Sequence, residues 1–103
     1  MTNDLNTLEK QTLVWFDEKG LSDPVMQFAK LNEEVGEMAH ELTRGRYDSP
    51  EIRDSVGDVM ITLIGMCHHL NLPLGECWAS ALNEIQHRKG KVIDGSFVKD
   101  PEA

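Results

Sequence analysis

Residues 33–38 read EEVGEM and residues 54–59 read DSVGDV. The two hexapeptides share one frame: acid, variable residue, Val, Gly, acid, apolar residue. Each falls in a stretch with helical periodicity, where a Gly costs ~1 kcal/mol relative to Ala. A small chain that twice places Gly directly before a carboxylate invites a reason.

Outward from these stretches, proline and glycine divide the chain into four helical segments. The first runs from about Asn3 to Lys19 and ends at Gly20. The second opens at Asp23-Pro24, an N-cap followed by proline at the first helical position, and runs to about Arg44 before Gly45. The third opens the same way at Ser49-Pro50-Glu51 and runs to about Leu70. The fourth runs from near Pro73 to Gly90, which places Arg88 and Lys89 in its last turn, where the helix dipole favours cations. Short connections between long amphipathic segments predict an all-α, antiparallel four-helix bundle. The tail changes character from about Lys91. Asp94-Gly95 between two apolar pairs is a two-residue hairpin signal, and disorder is expected beyond Asp100.

On a helical wheel the second segment carries an apolar stripe of Phe28, Leu31, Val35, Met38, Ala39 and Leu42, which is expected to face the core. Gln27, Lys30, Glu34, Glu37 and Glu41 flank it. The third segment is apolar around most of its circumference and reads as a central, buried helix. One polar line interrupts it: Glu51, Asp54, Ser55, Asp58, Thr62 and His69. Acids spaced three or four apart on a helix are neighbours. A buried helix with an acidic line is costly unless cations compensate the charge. Two acid pairs facing each other would form an all-oxygen cage suited to Mg²⁺ or Mn²⁺. Each Glu taken singly reads as solvated surface; the case is joint. Gly36 and Gly57 are then expected to let the two helices approach closely beside the acids.

Composition bounds the rest. A chain of 103 residues is one domain by length, with a small core that oligomerisation would supplement. Eighteen acids against ten bases give a net charge of −8, which argues against a nucleic-acid-binding surface. Cys67 and Cys77 form no CxxC pair and read as two buried thiols. The longest apolar run, VMITLIGMC at 59–67, is too short to span a bilayer, and the polar start MTNDLNTLEK is no signal peptide, so the chain reads as cytoplasmic. Trp15, Phe16 and Trp78 are candidates to stack a base, though each also reads as core. Glu37-x-x-His40 lacks the second such motif that a di-iron bundle needs.

KLNEEVGEMAHEL followed by DSVGDVMITLIGM resembles the MazG-like branch of the all-α nucleoside triphosphate pyrophosphohydrolases, over roughly residues 25–99. That signature is E-E-x-x-E on one helix and E-x-x-D on the next. Glu33, Glu34 and Glu37 match its first half and Asp58 its final position. Ser55 stands where the family has Glu, with Asp54 one residue earlier as a substitute carboxylate. The resemblance implies a homodimer or homotetramer that cleaves a nucleoside triphosphate between the α and β phosphates with Mg²⁺. It implies Glu34, Glu37, Asp54 and Asp58 as metal ligands and Glu33 as support or base. It implies Lys30, Asn83, Arg88, Lys89 and Lys91 around the phosphates or sugar. Ser55 leaves open a weaker metal site, and with it a nucleotide-binding module without turnover. A helical interaction domain with merely solvated acids is the third reading.

Overall fold

A computed structural model describes residues 3–101. Four helices and a hairpin follow in order: α1 (Leu5–Lys19), α2 (Pro24–Leu42), α3 (Pro50–His69), α4 (Leu74–Gln86), β1 (Gly90–Ile93) and β2 (Ser96–Lys99). The starts of α1, α2 and α3 are each fixed by a short polar side chain that accepts otherwise unpaired amide protons, whereas α4 follows Pro73 without a side-chain cap. The Asp4 carboxylate accepts from the Thr7 amide at 3.1 Å. Asp23 accepts from Val25 at 3.0 Å and Met26 at 3.3 Å. The Ser49 hydroxyl accepts from Ile52 at 3.1 Å. α1 ends where Gly20 takes a left-handed conformation (φ 68°). α4 stops at Gln86, short of the expected end, so Arg88 and Lys89 lie beyond the helix rather than in its last turn.

The chain divides into two compact units, one through Leu72 and the other from Pro73. In the first, α2 and α3 form the principal contact, and α1 packs on α3. Partners across α2 and α3 run in opposite order: Glu41 meets Ser49, and Glu37 meets Ser55. The two helices are therefore antiparallel. The core is small: Phe16, Ile52, Ile64 and Cys67 are its buried apolar side chains. Phe16, only 1% exposed, stands edge-on to the His69 ring with centroids 5.3 Å apart. It lies so close over Gly65 that a methyl group there would fall 2.3 Å from the Phe16 ring. Gly65 is thus the glycine that permits close helix approach. Gly36 and Gly57 do not serve this purpose within the chain, since a Cβ on either would meet nothing within 4 Å.

The apolar stripe of α2 is the main departure from expectation. Phe28, Val35 and Leu42 are 53%, 45% and 47% exposed, whereas Gln27 and Glu41, one residue earlier in each repeat, are 5% exposed. The helix is rotated by less than the ~100° of one residue from the expected orientation. The line 27-34-41 faces α3 with Leu31 and Met38 half-buried beside it, while Phe28, Val35, Ala39 and Leu42 face outward. α3 is likewise buried on one side only, through Ile52, Ser55, Thr62, Ile64, Gly65 and Cys67, while Val56 and Met60 are exposed.

The second unit holds α4 and the hairpin. No residue of α4 is buried, and Trp78, Leu82 and Ile85 are all exposed. Cys77 on this helix is exposed, against expectation, whereas Cys67 is buried. The hairpin forms where Asp94-Gly95 predicts it, with Ile93 paired to Ser96 and both turn residues at positive φ, 50° and 81°. The expectation of disorder past Asp100 falls largely on residues 102–103, outside the described residues.

Candidate active site

α2 and α3 carry the candidate carboxylates toward one another. Glu34 lies on the line of α2 that faces α3, and Asp58 lies one turn from the buried Ser55 and Thr62. Burial pushes the Glu34 carboxyl above its usual range. The negative charges of Glu37, Asp58 and Asp54, and a hydrogen bond with Glu37, push the same way. Asp58 is raised by burial first, then by Asp54 and Glu37. Groups that perturb one another this way share a neighbourhood. Acids from two helices therefore converge, as their spacing predicts. The buried Oε2 of Glu34 has no hydrogen-bond partner. A buried carboxylate oxygen left unpaired amid other carboxylates is costly, and its natural partner is a cation.

Ser55, in the place of the family carboxylate, is 2% exposed, and its hydroxyl donates to Glu37 Oε2 at 3.5 Å. Glu33, Glu37, Glu51 and Ser55 line a cleft of about 570 Å³ between the two helices. Among the described residues no three acidic, histidine or cysteine side chains already stand together in a form that would grip an ion. The four carboxylates nevertheless fit a hard cation by chemistry and by charge.

Glu41 behaves oppositely. It accepts from Arg46 at 2.6 Å and 3.1 Å and from the Ser49 hydroxyl at 2.7 Å. These bonds hold its carboxyl down at about 2. Ser49 also caps α3, so Glu41 joins the end of α2, the connecting loop and the start of α3. Its charge is already satisfied. Sequence reasoning missed this role, although Glu41, Glu34 and Gln27 recur at intervals of seven on one line.

Lys30 sits in the first unit, one turn before Glu34, on a pocket with Gln27 and Trp15. The other predicted substrate contacts lie in the second unit. The Asn83 carbonyl accepts from the His87 ring at 2.7 Å. Arg88 reaches Glu84 at 3.3 Å. Lys89 and Lys91 belong to the approach to β1 and to β1 itself.

Helices that share a cluster of electrostatically coupled carboxylates, one with an orphaned oxygen, define an all-α protein of the carboxylate-site class. The chain is similar to the crystal structure of the Bacillus-conserved MazG protein, a nucleotide pyrophosphohydrolase, with a TM-score of 0.70 and 25% identity over 86% of this chain and 96% of that one. This likeness supports a place for the chain among the MazG-like proteins. No protein-family model matches it, and no curated protein does.

Proposed function

We propose that this protein is a Mg²⁺-dependent nucleoside triphosphate pyrophosphohydrolase, with Mn²⁺ as a possible substitute. A nucleoside or deoxynucleoside triphosphate would be hydrolysed between the α and β phosphates to a monophosphate and pyrophosphate. The observation that carries this reading is the orphaned oxygen of Glu34, buried among acids from a second helix. The fold likeness to a nucleotide pyrophosphohydrolase supports it.

Glu34, Glu37, Asp54 and Asp58 would hold the metal. When bound, Mg²⁺ offsets the phosphate charge that an acidic site would otherwise repel and lowers the pKa of water. Glu33, exposed on the cleft beside Glu37, would take the proton of the attacking water. The water oxygen would bond to the α phosphorus as the bond from that phosphorus to the α–β bridging oxygen breaks, and pyrophosphate would leave with that electron pair. Lys30 would offset remaining phosphate charge; of the other expected substrate contacts, Arg88, Lys89 and Lys91 would add positive charge and Asn83 a hydrogen bond.

The outward stripe of Phe28, Val35 and Leu42, with Val56 and Met60, supports a homodimer or homotetramer, because a small chain gains its missing core by association. Two cysteines without a disulfide suit a cytoplasmic setting.

The test is pyrophosphate release from the common ribo- and deoxyribonucleoside triphosphates with Mg²⁺ and with Mn²⁺. Release that stops with EDTA is expected; no release from any substrate overturns the reading. Ser55, buried where the family has a carboxylate, favours one second reading: a nucleotide-binding module without turnover. Its signature would be a nucleotide-dependent rise in Tm without pyrophosphate, and activity gained on Ser55→Glu.

A further inference from the structure

Ser55 stands where the resembled signature has a carboxylate, yet with Phe16 it is one of the most completely buried side chains, at 2% exposed. A buried hydroxyl needs a partner. Within a helix a hydroxyl commonly finds one three or four residues back along its own backbone. On α3, Thr62 does so, donating to the Asp58 carbonyl at 2.9 Å. Ser55 departs from that pattern. Its hydroxyl crosses to α2 and donates to Glu37 Oε2 at 3.5 Å.

The two partners differ in freedom. Glu37 is exposed, on the wall of the cleft that it shares with Ser55. An exposed glutamate has several rotatable bonds, and fixing it on an ion costs rotamer entropy. Ser55 is buried and reaches its hydroxyl through a single torsion, so it is a fixed point. A bond from that point restrains Glu37 before any ion arrives, which removes part of the entropic cost. Charge favours the hydroxyl as well. A carboxylate at position 55 would set a fifth acid among Glu34, Glu37, Asp54 and Asp58, whereas a hydroxyl adds no charge and offers Glu37 a donor.

We propose that Ser55 is a positioning residue for Glu37, its hydroxyl orienting that carboxylate for the divalent cation the site would take. The proposal rests on the metal-site reading above and deepens it. Ser55 touches neither ion nor substrate in this role. The exchange of a family carboxylate for Ser then replaces one ligand by a support for another. Supports of this kind change metal affinity by about 10- to 100-fold when they are removed.

The experiment titrates metal-free protein with Mn²⁺ alone, into the millimolar range, and reads the free ion by electron paramagnetic resonance. Wild type, Ser55→Ala, Glu37→Ala and the double variant are compared. Ser55→Ala should weaken Mn²⁺ binding by ~10-fold or more. Added to Glu37→Ala it should change nothing further, because the hydroxyl acts through that carboxylate. If Ser55→Ala does not fold, Ser55→Cys, close in size and a weaker donor, should give a smaller loss with the same pattern. An affinity unchanged by substitution at position 55, or an equal loss in the Glu37→Ala background, as general packing would give, would overturn the role. Wild type that takes up no Mn²⁺ overturns the metal-site reading and this proposal with it. Mn²⁺ bound without pyrophosphate release overturns only the hydrolase reading, since the titration needs neither nucleotide nor turnover.

Discussion

At the scale of single residues, two groups of carboxylates on α2 and α3 have opposite energetics. Glu34 and Asp58 are raised by burial and by each other's neighbours, so their charged forms burden the folded state. A carboxyl whose folded pKa exceeds its unfolded value contributes stability that is present at low pH and lost as pH rises through the folded value. Metal-free protein should therefore lose part of its stability as pH rises through and above the carboxylate range. Glu34→Gln and Asp58→Asn should each raise the metal-free Tm at pH 7, by roughly 2–5 °C, in thermal melts with EDTA. The same variants should lose the Mg²⁺-induced rise in Tm and, if the hydrolase reading holds, ~10²-fold or more in kcat. Glu41 has the reverse sign. Held at about 2 by Arg46 and Ser49, it contributes stability above the ordinary carboxylate range that is lost as pH falls through 4.5 toward 2. Glu41→Gln should lower Tm at pH 7 and flatten acid unfolding in that window, measured by circular dichroism. A Glu41→Gln protein with wild-type Tm would remove its role as the clamp of the α2–α3 loop.

At the scale of elements, the helix starts were legible because each depends on nearest neighbours alone: Asp23-Pro24 and Ser49-Pro50 supply an acceptor and a preset φ within one turn. The hairpin was legible for the same reason. The rotation of α2 was not. Its apolar stripe identifies a face that seeks burial, but no local rule says whether the same chain or another copy supplies the cover. Close approach also had to be found in space. Three glycines lie within α2 and α3, and only Gly65 receives a neighbour's side chain. Gly65→Ala should cost about 1–3 kcal/mol through overpacking against Phe16, and Phe16→Leu should restore part of it. Gly57→Ala should leave metal-free protomer stability unchanged or slightly improved, since helical Ala is favoured and the site is open. Chemical denaturation compares the two directly.

At the scale of the whole molecule, α2 and α3 leave an apolar stripe exposed, which the proposed homo-oligomer would cover. Val35→Glu, at a position 45% exposed, should barely disturb the helix yet shift the protein toward monomer. Size-exclusion chromatography with light scattering reads the change; an unaltered mass would place the interface elsewhere. The sequence by itself determined the helices, the hairpin and the candidate carboxylates, because caps, turns and i,i+3 or i,i+4 neighbours depend on short-range geometry. Only tertiary structure decided which line of α2 meets α3, and with it the burial of Gln27, the clamp at Glu41, the close approach at Gly65 and the orphaned oxygen of Glu34. The physical reason is that burial is a property of two surfaces brought together. Amphipathic periodicity describes one of them and is silent about the other.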